Sequence, residues 1–102
     1  MKLAKMRMFA PHDAKLGVFM TPFFMLHLGQ ALRAWDDLVN DPQSIFSKHS
    51  SDFVLYEVGI FDDDTGLVTP HSPLQQVATA SEVKKKAQSA EPMFDKVSNI
   101  SR

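Results

Sequence analysis

The stretch Phe53-Val54-Leu55-Tyr56-Glu57-Val58-Gly59-Ile60-Phe61-Asp62-Asp63-Asp64-Thr65-Gly66-Leu67-Val68-Thr69 decides how this chain is read. Nine mostly apolar residues run into three aspartates. Alternation places Val54, Tyr56, Val58 and Ile60 on one face of a strand, and Phe53, Leu55, Glu57, Gly59 and Phe61 on the other. A strand apolar on nearly both faces belongs at the centre of a sheet, covered on each side or packed against a partner. Asp64-Thr65-Gly66 then fits a turn with a left-handed glycine, and Leu67-Val68-Thr69 reads as a short return strand. The competing reading is a cation site. A calcium loop starting at Asp62 needs Asp or Asn at its fifth position, Gly at its sixth and Glu at its twelfth. Gly66, Leu67 and Pro73 stand there instead, and the match fails.

Towards the N-terminus, Lys2 to Phe9 alternates. Ala4, Met6 and Met8 point one way, Lys5 and Arg7 the other, predicting a half-buried strand with a basic outer face. Pro11-His12-Asp13 is expected to break it, since proline cannot donate to a ladder. Leu16 to Met20 is expected to pair back as a hairpin, and Thr21 to Leu26 to be an extended apolar connection. Leu28, Ala31, Leu32, Trp35, Leu38 and Val39 recur at spacings of three and four, the stripe of a helix over about 28–40. Asn40-Asp41-Pro42 ends it. Asp41 is expected to cap a short second helix, with Pro42 at its first position, running to about Lys48. On the far side of the hairpin, Ser72-Pro73 is expected to cap a weak helix through Val83. The prediction is an α+β domain over residues 1–83, with a small antiparallel sheet of three to four strands, followed by a loose polar tail over 84–102.

The chain has 102 residues, enough for one modest core. It contains no cysteine, which excludes disulfides and thiolate metal sites. Neither a signal-type apolar region nor a run of about 18 apolar residues is present, so a soluble chain without a membrane span is expected. The net charge of −1 hides a strong polarity. Residues 1–35 carry five bases and one acid, 36–66 eight acids and one lysine, and 67–102 five bases and three acids. A polarised molecule can turn one cationic face to a polyanion.

Catalytic and metal patterns do not assemble. His12, His27, His49 and His71 are 15, 22 and 22 residues apart, and no pair has the helical i, i+4 spacing of a metal motif. His49, Ser50 and Asp52 hold the letters of a triad, but neighbouring loop side chains diverge, whereas a triad needs convergence and an oxyanion hole. There is no glycine-rich phosphate loop. A DNA-nicking enzyme would need a His-x-His pair and a nucleophilic tyrosine; the single tyrosine, Tyr56, lies in the apolar strand. The expectation is a nonenzymatic protein with no metal and no cofactor. Binding is better supported. Lys5 and Arg7, with Lys2 and Lys15 near them and Arg33 on the helix, form a candidate phosphate-contacting surface beside Phe9, Phe19, Phe23 or Phe24 as stacking platforms. Lys84-Lys85-Lys86 adds a short basic run.

Several motifs in order carry a resemblance: Thr21-Pro22-Phe23-Phe24, Gly29-Gln30-Ala31-Leu32-Arg33-Ala34-Trp35, Asn40-Asp41-Pro42, Ser47-Lys48-His49, Asp52-Phe53-Val54-Leu55-Tyr56 and Gly59-Ile60-Phe61-Asp62-Asp63-Asp64-Thr65-Gly66. Over about residues 2–80 the chain resembles the small nonstructural protein of gokushoviruses, microviruses with circular single-stranded DNA genomes. The resemblance implies a DNA-binding protein that helps replication switch to single-strand synthesis and packaging in the host bacterial cytoplasm. It transfers no contact residue. Single-stranded DNA is the expected partner, with self-association along it. The rival is an assembly factor that meets capsid, scaffold or replication proteins through the acidic region Asp36 to Asp64 or an exposed apolar face of the central strand.

Overall fold

The computed structural model describes residues 5–85. Its elements are β1 (Lys5–Asp13), β2 (Val18–Phe19), β3 (Phe23–Met25), α1 (Leu28–Val39), α2 (Ile45–Lys48), β4 (Phe53–Asp62), β5 (Val68–Thr79) and α3 (Ala80–Val83). The strands make one antiparallel sheet in the order β2-β1-β4-β5, with β3 also on the outer edge of β1. The α+β class holds, with five strands where three or four are expected. β4 is central, between β1 and β5.

Pro11 does not end β1; the strand runs through it to Asp13. Met20 N–H donates to the Pro11 carbonyl at 2.8 Å, so the polar edge of Pro11 faces the neighbouring edge strand. A regular pair there would also need an N–H from residue 11, which proline lacks. The edge accordingly splits at this point into β2, against His12 and Asp13, and β3, against Arg7 to Phe9. The expected apolar connection over Thr21 to Leu26 is therefore partly strand: β3 pairs where β1 again offers a complete backbone.

Both hairpin turns are built by aspartate and glycine. Asp13 Oδ1 accepts from the N–H groups of Lys15 and Leu16, and Gly17 takes φ +73°. Asp62 Oδ1 accepts from Asp64 N–H at 2.9 Å, Gly66 N–H donates to the Asp62 carbonyl at 2.7 Å, and Gly66 takes φ +76°. A left-handed φ at these two positions suits glycine. The three aspartates are thus the tip of the β4–β5 hairpin.

Two helical boundaries depart from expectation. α2 starts three residues late, because Ser44, not Asp41, is its cap and accepts from Ser47 N–H at 3.1 Å. Asp41 is spent in the preceding turn, accepting from Gln43 N–H. The helix expected after Ser72-Pro73 is strand until Thr79; only α3 is helical, in a capping box between Thr79 and Glu82. Leu74, Gln75, Gln76 and Ala78 have no strong β preference, and pairing with the apolar β4 overrides their local choice.

All helical segments lie on one side of the sheet. Ala31, Trp35 and Val39 of α1 pack on Phe9, Phe53, Leu55 and Ala78, joined by Ala80. Phe46 bridges Trp35 and Phe53, with ring centroids 5.2 and 4.8 Å away. Asn40, at the end of α1, ties the helix to α3 by donating to the Val83 carbonyl at 3.0 Å.

β4 carries one extra residue. Met8 pairs with Gly59 and Phe9 with Glu57, leaving Val58 as a bulge. At Gly59 the β5 backbone comes so close that a Cβ would lie 2.7 Å from the Thr69 carbonyl oxygen. Gly59→Ala is expected to cost about 2 kcal/mol, because backbone must move to admit the methyl group. Gly29 sits in the first turn of α1 with nothing within 4 Å of an added Cβ, so Gly29→Ala is expected to stabilise by about 0.5 kcal/mol. Urea midpoints should move in opposite directions, with the denaturant slope unchanged in both.

Candidate nucleic-acid interface

Register fixes which strand residues share a face. Lys5, Arg7 and Phe9 alternate with Met6, Met8 and Ala10, and cross-strand partners lie on the same side. The helix side therefore carries Lys5, Arg7, Phe9, Glu57, Ile60, Thr69 and Gln75. α1 covers the Phe53–Leu55 half of this side. The other half is an open groove of about 550 Å³ lined by Lys5, Arg7, Leu26, Glu57, Ile60, Thr69, His71 and Gln75. Lys5 and Arg7 do share a strand face, as expected, but it is the face on which the helix sits. Met6 and Met8, expected to point inward, are on the opposite side.

The floor of the groove is a buried carboxylate. Glu57 is 3 % exposed. Arg7 donates from Nε to Glu57 Oε1 at 3.1 Å and approaches the same oxygen with a terminal nitrogen at 2.9 Å. His71 Nε2 lies 2.8 Å from Oε2. His71 reaches it because β5 bulges: Gly59 pairs with Pro70 and Glu57 with Gln75, so His71 to Leu74 loop out between those pairs. Burial pushes the Glu57 carboxyl up. Hydrogen bonds from His71 and Arg7, with their positive charge, outweigh it and leave the group below the ordinary glutamate range.

The other candidate cations are dispersed. Lys15 is in the β1–β2 turn, about 25 Å along the strand from Lys5. It borders a separate hollow of about 300 Å³ that also holds Asp13 and Asp52. Arg33 is exposed on α1. Lys84 Nζ donates to the Ser47 carbonyl at 2.7 Å, and Lys85 Nζ is 3.2 Å from Asp36. Lys2 and Lys86 lie outside the described residues, as does the rest of the tail from 86 onward. Of the candidate set, only Lys5 and Arg7 come together in one concavity among the described residues, and Arg7 is already paired.

The candidate stacking residues separate as well. Phe9 is fully buried, with Phe23 stacked on it at 5.7 Å. Phe19 and Phe24 are 46 % and 40 % exposed, on the side away from the helices. There they join residues the charge pattern did not single out. His12, Phe19 and Tyr56 form one cluster, with centroids 4.5 to 6.0 Å apart, and Phe24 meets Phe61 at 5.9 Å. Alternation along β1 marks His12 for this face, but the bulge at Val58 conceals Phe61. Among the described residues no group of three metal-ligating side chains converges, and no helix is long and apolar enough to cross a membrane.

The family model of the Phage ORF5 protein matches residues 6–83. The chain belongs to that family. No curated protein and no solved structure shows a significant match to it.

Two measurements test the buried carboxylate. A depressed folded-state pKa contributes stability above the unfolded-state pKa, and that contribution is lost as pH falls through the folded value. The parent chain should therefore lose stability from about pH 5 to pH 3, and Glu57→Gln should flatten that limb in pH-dependent urea titrations. Arg7→Met, which strands Glu57 with His71 alone, should cost about 2–4 kcal/mol at neutral pH, read from the same titrations.

Proposed function

We propose that this phage protein is a nonenzymatic DNA-binding accessory factor of the gokushovirus type, acting on single-stranded DNA during genome synthesis or packaging in the host bacterial cytoplasm. Membership of the Phage ORF5 family and the ordered motifs shared with the gokushovirus nonstructural protein support the phage setting. The observation that carries the binding surface is the groove in which Lys5 and Arg7 stand over His71, Thr69 and Gln75.

The groove suits a polyanion in a specific way. Arg7 is held by Glu57 from one side, so its guanidinium is fixed without being fully enclosed; its side chain remains 34 % exposed. Lys5 is exposed at the mouth and supplies mobile charge. Thr69 and Gln75 offer neutral hydrogen-bonding groups, and His71 an aromatic edge. Such a surface neutralises one or two phosphates per copy, and its affinity falls with salt, each contact adding roughly 0.7 to the slope for single strands. The binding this implies is weak and insensitive to sequence.

The ion pair dictates how the surface is probed. Reversing Arg7 would unpair a buried carboxylate and confuse loss of binding with loss of fold. Lys5→Glu and Thr69→Glu leave the Arg7–Glu57–His71 set intact. Fluorescence anisotropy with an oligothymidine at several salt concentrations should show salt-dependent binding by the parent. Each variant should weaken it about 3- to 10-fold and lower the salt slope. A parent without salt-dependent binding would remove the DNA reading; unchanged affinity in both variants would remove the groove.

A further inference from the structure

Every formally charged strand residue, namely Lys5, Arg7, Asp13, Glu57 and Asp62, lies on the helix side of the sheet by register. Among the described residues the opposite face has none. By the same register it presents Met6, Met8 and His12 from β1, with Ala10 buried beneath them, Phe19 and Phe24 from the edge strands, Val54, Tyr56 and Phe61 from β4, and Val68, Pro70, Gln76 and Thr79 from β5. Phe19, Phe24 and Val68 are 46 %, 40 % and 49 % exposed, and among the described residues no helix packs here. Charge depletion with enriched aromatics and methionine characterises the core of a protein interface. A nucleic-acid platform would need cations among the aromatics to meet phosphates.

We propose that this face is the interface of a homodimer, in which two copies pack sheet on sheet and leave both basic grooves outward. Area supports a second copy. Four strand columns about 4.8 Å apart and some nine residues of about 3.3 Å give a patch near 550 Å² in projection. Two copies together give about 1,100 Å², just above the roughly 1,000 Å² that a specific interface should clear. Self-matching supports it too: an uncharged face meets its own copy without like-charge repulsion, as a two-fold contact requires. The core also calls for more burial. Three of the eight residues of the core cluster are alanines (Ala31, Ala78, Ala80), a thin core for a domain of this size.

The sheet edges offer no easier route to association. Pro70, Pro73 and the His71–Leu74 bulge interrupt the outer edge of β5, while the other edge is split at Met20-Thr21-Pro22. Breaks of this kind block edge-to-edge pairing. The dimer does not depend on the DNA reading, though two grooves on one particle would raise the avidity of a weak site.

Sedimentation equilibrium of the full chain without DNA tests it. The parent is expected at twice its 11.5 kDa mass at micromolar concentration. The double variant Phe19→Asp/Phe24→Asp is expected as a monomer, with the emission of Trp35 unchanged; that residue is the single tryptophan, fully buried on the helix side. Should that variant fail to fold, the cysteine-free sequence provides a second assay. Phe19→Cys should be joined into dimers by a bis-maleimide spanning about 10 Å, the spacing of packed sheets, and Arg33→Cys on the helix side should not. A parent that stays monomeric at 100 μM, a folded double variant that stays dimeric, or cross-linking through Arg33→Cys alone overturns the proposal. So does a monomeric parent whose oligonucleotide binding is lost in the double variant, since that result gives the face to DNA.

Discussion

One extra residue in the central strand organises the molecule. Val58 interrupts strict alternation between Glu57 and Gly59, so that positions on its two sides face opposite ways from a simple period-two pattern. Before the bulge, Phe53, Leu55 and Glu57 face the helices; after it, Ile60 does, and Phe61 turns to the open side. Without that shift, Phe61 would lie in the groove above Arg7 and Ile60 on the far face. The bulge thereby keeps the groove beside Lys5 and Arg7 free of a large ring, and adds that ring to the aromatic face opposite. Gly59, next to the bulge, is the residue that lets β5 follow the bent strand at close range.

Parts of this were legible from the residues because local chemistry decides them. The α1 stripe from Leu28 to Val39, its end at Asn40-Asp41-Pro42, and the hairpin tip at Asp62 to Gly66 each follow from spacing, proline sterics and turn preferences. None needs knowledge of a distant neighbour. β5 was not legible beyond Thr69. Leu74, Gln75, Gln76 and Ala78 have no strand signature of their own, and become strand because β4 offers an unpaired apolar ladder. The same holds for β3 and for the passage of β1 through Pro11, which is tolerated because the missing N–H falls where the edge strand breaks. Gly59 inside the strand run was the visible sign that alternation would fail in β4.

The candidate site was legible in its ingredients and not in its geometry. The alternation of Lys5 and Arg7 correctly placed them on one face, yet charge alone could not reveal that Arg7 answers a buried Glu57 fifty residues away. Glu57 stood out in sequence only as a polar interruption of an apolar strand. Its meaning depends on two partners from different strands, one of them lifted into place by the β5 bulge. The remaining cations are separated by folding, because Lys15 closes a turn at the far end of β1 while Lys84 and Lys85 fasten the end of the domain to Ser47 and Asp36.

The division of the sheet into a charged side and an uncharged side gives each a separate physical burden. On the helix side, the Phe9–Trp35–Leu55 core and the Arg7–Glu57–His71 set sit next to each other, so changes to the groove are felt by the fold. Among the described residues the open side carries no ion pair, and its methionines and aromatic rings can be covered without desolvating a charge, which is costly when an interface forms. With few large side chains in the core, covering that face would add apolar burial at about 25 cal/mol per Å². Stability and association would then be linked by mass action, and the folded population would rise with protein concentration. In such a dimer part of the fold would come from association, while the groove of Lys5 and Arg7 stays on the opposite side of the sheet.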